Sequence, residues 1–298
     1  MAFSQRLSLS AQLVENRLAA MLDAESAGGA PPRLIAAMRH GTLAGGKRLR
    51  PFLVLESAAL FEVPTESAIH AAAAVECVHC YSLIHDDLPA MDNDAMRRGI
   101  RTVHKAFDEW TAILAGDALL TLAFEALACD AASRDPHVRT ELIQELARAS
   151  GARGMAGGQC LDLEAEKLKQ PAKPTGAHVE RLHSLKTGAL LRFSCEAGAI
   201  LGKAGAAERR ALAAYGDRLG LAFQIADDLL DVEGNPEAMG KAAHKDTDKA
   251  TLHASSDMGT AKARLAALET EAVAALGSFD KRADVLREAA AFVVRRKR

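Results

Sequence analysis

The positions of the apolar residues predict a protein built almost entirely from helices. Apolar side chains recur at i, i+3, i+4 and i+7 through nearly every segment, and convincing runs of alternating apolar and polar residues are absent. The pattern predicts helices at 8–24, 31–43, 49–61, 65–88, 108–130, 136–151, 152–168, 175–202, 206–232, 258–276 and 280–296. The expected fold class is therefore all-α.

The breaks between these helices are short, and they are marked by Gly and Pro, as at Gly28-Gly29 and Val63-Pro64. None is long enough to act as a domain linker, so we expect one all-helical domain over 1–298. The longest stretch without a helical pattern is 233–257, which is polar and mixed in charge. A segment of this kind beside an acidic cluster is typical of a mobile lid.

Composition narrows the class of protein. The 298 residues are 49% hydrophobic and carry a net charge of −2, which gives no reason to expect nucleic acid or an anionic membrane as a partner. The five cysteines are odd in number and scattered through alanine-rich helices, as reduced thiols in a cytoplasmic enzyme would be. No apolar run without charges is long enough to span a bilayer, and the N-terminus lacks the pattern of a signal peptide. We expect a cytoplasmic protein without stable membrane insertion.

Two acidic clusters carry the main chemical signal. One contains Asp86, Asp87 and Asp92, and the other spans residues 227–231 with three aspartates. Each follows an apolar helical stretch, and carboxylates packed this closely repel one another unless a cation lies between them. A hard divalent metal is the obvious candidate, and a metal held by few protein ligands usually carries a phosphate substrate.

The spacing differs between the clusters. Asp227 and Asp231 are i and i+4, so they share a helix face with Cβ atoms roughly 5–6 Å apart, and Asp228 points to an adjacent face. Asp86 and Asp92 would lie about 120° apart on an ideal helix.

A proline in the first cluster can bring Asp86 and Asp92 to the same side of the chain. Pro89 cannot donate to the carbonyl of His85, so the helix should kink or end near Leu88. The additional residues would then form a bulge that returns Asp92 to the side of Asp86.

Basic residues complement both clusters. Lys47 and Arg50 follow the pair Gly45-Gly46, where the backbone can approach an anion, and Arg97-Arg98 follows the first acidic cluster. Arginine grips phosphate oxygens with two parallel hydrogen bonds. The pattern indicates two anion sites, one bridged by metal and one purely cationic.

Together these motifs resemble those of a known protein family, and the resemblance covers essentially the whole chain. The sequence resembles the trans-prenyl diphosphate synthases, and within them the bacterial farnesyl diphosphate synthases. The segments that carry the resemblance are GGKRLRP (45–51), ECVHCYSLIHDDLPAMDNDAMRRG (76–99), GMAGGQCLDL (154–163), LHSLKTGAL (182–190) and FQIADDLLD (223–231). The resemblance implies an isoprenoid-synthase-type helical bundle around a deep central cavity, assembled as a homodimer.

The resemblance also implies roles for individual residues. Three Mg²⁺ ions would be held against the diphosphate of an allylic substrate by Asp86, Asp92, Asp227 and Asp231. The same diphosphate would be neutralised by Arg97, Lys186, Lys241 and Lys249. Isopentenyl diphosphate would be bound by Gly46, Lys47, Arg50, His79 and Arg98. Thr187 and Gln224 would present oxygens to the developing allylic cation, and Gln159 and Asp162 would support the metal side.

Product length is predicted from the residues that precede Asp86. Tyr81 and Ser82 lie roughly 6–8 Å down the helix from it. In the family, a bulky side chain at this point forms the floor of the pocket for the growing chain, so Tyr81 favours a C15 product over C20.

Three alternatives remain open from sequence. The first is a geranylgeranyl diphosphate synthase with the same chemistry. The second is a terpene cyclase, which would have no use for a second anion site, and the third is a regulatory partner subunit, which would be expected to have lost the acidic clusters. The basic C-terminus, residues 295–298, could close over the isopentenyl site or only complement the end of a helix.

Overall fold

The structure, a computed structural model, describes residues 2–171, 175–233 and 258–295, apart from the side chains of 231–233. Its longer helices are α1 (Phe3–Ala27), α2 (Pro32–Thr42), α3 (Leu49–Ala59), α4 (Thr65–Asp86), α6 (Glu109–Ala128), α7 (Pro136–Ser150), α8 (Met155–Lys167), α9 (Gly176–His183), α10 (Ala189–Leu201), α11 (Ala206–Glu233), α12 (Met258–Ala275) and α13 (Asp284–Arg295). The shorter elements are β1 (Met96–Arg97), β2 (Ile100–Arg101), α5 (Val103–Ala106), a π-helix (Ser184–Gly188) and a 3₁₀ helix (Lys281–Ala283). The all-α prediction is confirmed.

Contacts divide the chain into two compact units. One unit comprises Met1–Leu55 and Pro64–Ile143, and the other comprises Glu56–Val63 and Gln144–Arg298. The single domain over 1–298 stays a prediction.

Helix α4 is the centre of the first unit. Its residues from Ala71 to Val78 are all buried, and it packs against α6, α2 and α1. A helix that is apolar on every side belongs in a core, and the small alanine side chains let its neighbours approach closely. Its main packing partner, α6, begins after the N-cap Asp108, whose carboxylate accepts a hydrogen bond of 2.8 Å from the backbone amide of Thr111.

Helices α4 and α6 are also long and apolar enough, by length and composition, to cross a bilayer. Both contain ionisable residues, among them Glu76 in α4 and Asp117 in α6. Of the most apolar stretch of each helix, 67% is buried inside the structure in α4 and 50% in α6. The core helices of a globular protein have the same properties.

The second unit is organised by α10 and α11, with α12 packed along α11. Tyr215 of α11 is fully buried, and its hydroxyl donates a hydrogen bond of 2.6 Å to the carbonyl of Leu286 in α13. The predicted helix over 175–202 is divided in three, because a π-helix separates α9 from α10. Such insertions are frequently found at functional sites.

Candidate active site

The first acidic cluster begins where α4 ends. The helix stops at Asp86, two residues before the predicted point, and the chain then turns back on itself. The backbone amide of Asp92 donates a hydrogen bond of 2.9 Å to the carbonyl of Asp86. Asn93, at φ 52°, adopts the left-handed conformation as the turn closes. The predicted bulge that returns Asp92 to Asp86 is confirmed.

Asp87, to which the sequence assigned no role, is buried beside Arg97. The Nε of Arg97 donates hydrogen bonds of 2.8 and 3.0 Å to the two carboxylate oxygens of Asp87, and one of its terminal nitrogens lies 2.7 Å from Oδ1. A fork of this kind fixes the plane of the guanidinium. Asp87 thus orients Arg97, and the doubled aspartate of the motif was the signal for it.

Arg98 occupies the turn of a small antiparallel hairpin. In this hairpin Met96 pairs with Arg101 and Arg97 pairs with Ile100, so Arg98 and Gly99 form the two-residue turn. Both have positive φ, 52° and 80°. A turn with positive φ at both central positions matches the twist of the flanking strands.

We call residues 43–48, which connect α2 to α3, the anion loop. Arg98 donates a hydrogen bond to the carbonyl of Gly45, and its guanidinium lies against Gly46. A Cβ at Gly46 would lie 2.8 Å from Cζ of Arg98, and the φ of Gly46 is 128°. Glycine is therefore required here both for space and for backbone conformation.

Arg50 and His79 meet beside the anion loop. Nη1 of Arg50 lies 3.5 Å from Nε2 of His79, while Lys47 is exposed at the end of the loop. Burial holds the pKa of His79 well below its usual value, and the charge of Arg50 lowers this pKa further. His79 is therefore a neutral ring beside cations. We call Lys47, Arg50, His79 and Arg98 the cationic site.

Tyr81 and Ser82 lie on α4 above the first acidic cluster. The Tyr81 ring packs edge-on against His85, with ring centroids 5.7 Å apart. His85 is fixed in turn, because its Nε2 lies 3.0 Å from the carbonyl oxygen of Ile113 and its ring fills the space beside Gly116. The hydroxyl of Ser82 donates a hydrogen bond to the carbonyl of His79 at 2.8 Å.

In the second unit the π-helix carries Lys186 and Thr187. Nζ of Lys186 lies 2.5 Å from a carboxylate oxygen of Asp162 on α8. The two elements come this close because α8 has a glycine at the crossing: a Cβ on Gly158 would lie 2.2 Å from the backbone nitrogen of Lys186. Gln159, predicted to support the metal side, lies on the same helix.

Thr187 and Gln224 are in direct contact. The hydroxyl of Thr187 donates a hydrogen bond of 3.1 Å to the side-chain oxygen of Gln224, whose amide donates one of 3.0 Å to Asp228. Gly188 and Gly220 allow this contact, because a Cβ on Gly220 would lie 2.7 Å from the Cα of Gly188. Asp228 is buried, whereas Asp227 is partly exposed.

Several predicted positions lie outside the described residues. These are Lys241, Lys249, the lid over 233–257 apart from Glu233, the side chain of Asp231, and the last three residues of the basic C-terminus. Their roles stay predictions.

Mg²⁺ binds hard oxygen donors such as carboxylates. Within 2–171, 175–233 and 258–295, no group of three His, Cys, Asp or Glu side chains is arranged to hold a metal ion. Mg²⁺ does not need such a cage, since it commonly binds one or two carboxylates together with water and substrate phosphates. Asp86 and Asp92, whose backbones are joined by a hydrogen bond, carry hard oxygen donors of the right kind.

Aspartates at the end of α4 and in the last turns of α11, and a cationic site drawn from α3, α4, the anion loop and the hairpin, are what an enzyme that handles diphosphates with Mg²⁺ would need. Residues 31–274 match the family model described as polyprenyl synthetase. The chain belongs to this family.

Comparison with individual proteins supports membership of this family. Farnesyl diphosphate synthase of Escherichia coli (strain K12) is 50% identical over 212 residues, which is 70% of this chain and 69% of that protein. Among solved structures, a FPP/GFPP synthase from Zymomonas mobilis is 45% identical with a TM-score of 0.87, covering 98% of both chains. A geranyltransferase from Helicobacter pylori, complexed with magnesium and isoprenyl diphosphate, is 31% identical with a TM-score of 0.81, covering 99% of this chain and 97% of that one. The predicted family and isoprenoid-synthase fold are confirmed.

Proposed function

We propose that the protein is a prenyltransferase that condenses isopentenyl diphosphate with dimethylallyl and then geranyl diphosphate, giving farnesyl diphosphate. The observation that carries this proposal is the separation of two kinds of anion site within one unit. Asp86 and Asp92 would bind metal, and the cationic site is assembled from other residues. A protein with both is equipped for two diphosphates, and the farnesyl diphosphate synthases among its relatives agree with this reading.

The reaction begins with loss of diphosphate from the allylic substrate. Mg²⁺ would be held by Asp86, Asp92, Asp227 and Asp231, three ions in all, and would stabilise the negative charge on the leaving group. Arg97 and Lys186, with Lys241 and Lys249, would add cationic charge to the same diphosphate. Because Asp87 and Asp162 orient Arg97 and Lys186 beforehand, little reorganisation is needed when the charge develops.

The second substrate is held by different chemistry. Lys47, Arg50 and Arg98 would bind the isopentenyl diphosphate as cations, while neutral His79 would contribute a hydrogen bond. The double bond of this substrate attacks the allylic cation, and a proton then leaves to the departing diphosphate. No protein nucleophile is required.

Thr187 and Gln224 would face the developing cation. Their side-chain oxygens are already linked by a hydrogen bond, so the pair presents a fixed dipole instead of two mobile groups. Gln159 would support the metal side, and closure of the lid over 233–257 would exclude water that otherwise captures the cation.

Product length separates this proposal from its nearest alternative, a geranylgeranyl diphosphate synthase. Tyr81 is bulky and is braced by His85, which favours a short pocket and a C15 product. Ser82, the next residue, has a small side chain and would not limit the depth of this pocket.

The deciding experiment is a product analysis. The purified protein is incubated with Mg²⁺, isopentenyl diphosphate and either dimethylallyl or geranyl diphosphate, and the products are identified by mass. Farnesyl diphosphate supports the proposal, and a C20 product supports the alternative. A hydrocarbon formed from farnesyl diphosphate alone would indicate a terpene cyclase, and inertness would indicate a regulatory subunit.

We further propose a cytoplasmic homodimer without stable membrane insertion. The exposed face of α6 supports self-association, because Trp110, Ile113 and Leu114 are 58%, 44% and 48% exposed and lie on one side of the helix. A contiguous apolar surface of this kind marks an interaction site.

A further inference from the structure

Arg48 lies between Lys47 and Arg50 in sequence, but it faces the protein interior. Its side chain has 0% exposure, whereas Lys47 is exposed. Its φ of 50° places it in the left-handed region, which is strained for a residue with a branched or long side chain. Such a conformation persists only where surrounding contacts hold it.

The contacts of the Arg48 guanidinium meet that requirement. One terminal nitrogen lies 2.5 Å from a carboxylate oxygen of Glu76. The other donates hydrogen bonds to the carbonyl of Thr42 at 2.5 Å and to Glu15 at 3.3 Å. Because the guanidinium is planar and rigid, these contacts fix its position as well as its charge.

These partners connect the anion loop to the helix that carries His79. Glu76 is on α4 three residues before His79, so the two side chains lie on neighbouring positions of one face. Arg98 holds the loop at Gly45, and Glu76 holds it at Arg48. The loop is therefore fixed at both ends of its glycine-containing segment.

We propose that Arg48 is a positioning residue for the cationic site. Without touching substrate, its ion pair with Glu76 sets the distance from Lys47 and Arg50 to His79. This inference rests on the proposed function, since it concerns the site assigned to isopentenyl diphosphate.

The test is a comparison of Michaelis constants. Displacement of a binding group by about 1 Å can cost up to about 100-fold. In Arg48→Met we expect the KM for isopentenyl diphosphate to rise by about 10- to 100-fold. The KM for geranyl diphosphate should stay within about twofold of wild type, since the residues assigned to the allylic diphosphate lie outside the anion loop and Asp87 holds Arg97 independently of Arg48. Equal rises for both substrates, or no rise for either, would overturn the inference.

A double variant separates positioning from folding. Arg48→Met strands the buried Glu76 carboxylate, which can destabilise the fold by itself. The double variant Arg48→Met/Glu76→Met removes that charge, so its thermal midpoint should return toward wild type while the KM for isopentenyl diphosphate stays high. Recovery of this KM in the double variant would mean that Arg48 only neutralises Glu76.

Arg139→Met is the matched control. Arg139 also pairs with a carboxylate in the first unit, at 2.7 Å from Asp130, and its side chain is 19% exposed. Both KM values should be unchanged in this variant. Lack of farnesyl diphosphate formation by the wild-type protein would reject the proposed function instead, so the two failures are distinguishable.

Discussion

Burial lowers the pKa of His183 below that of a histidine in water. The residue is 5% exposed, and its Nδ1 is buried without a hydrogen-bond partner among the described residues. Burial lowers its pKa to about 4, with Asp162 opposing the shift and Lys186 adding to it. A proton therefore binds more readily to the unfolded chain than to the folded one.

This difference links stability to pH. The contribution of neutral His183 to the free energy of unfolding is fully present above the pKa of the unfolded state, about 6.5. It is lost as the pH falls toward the pKa in the folded state, about 4. By pH 4 the loss should amount to about 3 kcal/mol in the free energy of unfolding. Urea denaturation of wild type and His183→Phe at pH 7.5, 5.5 and 4 measures it, and the variant should lose less stability. His137→Gln, at an exposed position, serves as control and should follow wild type. Identical pH dependence in all three proteins would contradict the assignment.

Tyr81 governs product length if the proposed pocket is correct. Truncation in Tyr81→Ala removes the ring that packs on His85, so the growing chain can extend further before it meets an obstacle. We expect products longer than C15, detected by mass spectrometry of the reaction mixture. Tyr81→Phe keeps the bulk and should retain C15, whereas unchanged C15 output from Tyr81→Ala would rule out this role.

In the anion loop, the sequence alone does not predict which side chains face the protein interior. Lys47, Arg48 and Arg50 look equivalent in the motif, yet Arg48 alone is fully buried with Glu76. Helical periodicity cannot assign their directions, because the positive φ values at Gly45, Gly46 and Arg48 break any regular repeat. Lys47 and Arg50 are predicted to bind an anion because they follow the Gly45-Gly46 pair, and their assignment to isopentenyl diphosphate comes from the family resemblance.

At the scale of helices, the crossing of Gly188 and Gly220 sets the position of the π-helix. No side chain separates the backbones there, and one turn further along α11 Gln224 meets Thr187. Close approach of two helices thus determines a side-chain contact at the site.

Gly220→Ala tests this arrangement. The new Cβ would lie 2.7 Å from the Cα of Gly188, so the helices must separate. We expect a loss of about 1–3 kcal/mol in stability, despite the better helix propensity of alanine, and a lower kcat because Thr187 moves away from Gln224. Thermal unfolding and steady-state kinetics measure the two effects. Gly176→Ala, where a Cβ meets nothing within 4 Å, should be neutral or slightly stabilising. Wild-type stability and kcat in Gly220→Ala would refute the account.

The helices themselves were largely predictable, because apolar periodicity and Pro or Gly breaks mark most of their ends. Helix α11 was expected at 206–232 and runs from Ala206 to Glu233. The π-helix and the short hairpin around Arg98 were not foreseen, since neither has a periodic signature. They follow from close packing at Gly158 and from positive φ at Arg98 and Gly99.

For the whole molecule, the apolar face of α6 bears on assembly. Trp110, Ile113 and Leu114 remain exposed although the opposite side of the helix is buried in the first unit. Covering this face with a second copy would remove it from water.

Leu114→Arg should therefore weaken the proposed homodimer. Placing a charge in the apolar face carries a desolvation cost that a monomer avoids. Light scattering coupled to gel filtration should show the mass falling from two copies toward one. Leu168→Arg introduces the same charge at a 62% exposed leucine of the second unit and should leave the mass unchanged. A dimer that persists in Leu114→Arg at micromolar concentration would exclude this face as the interface.

Sequence motifs predict which residues bind each diphosphate, but they say little about how those residues are held in place. The ion pair of Lys186 with Asp162 joins residues that are 24 positions apart, and that of Arg97 with Asp87 depends on a turn without periodic pattern. The first of these contacts leaves no local trace in the sequence, whereas the doubled aspartate of the motif marks the partner of Arg97.

The backbone hydrogen bond from Asp92 to Asp86 has a consequence for recognising such sites in other proteins. It brings together two aspartates whose separation along the chain fits no helical repeat. Two aspartates can therefore lie side by side at an interval that no helical repeat gives, where a proline and a left-handed residue let the chain fold back. A search that insists on one fixed interval between acidic residues would overlook sites that are built this way.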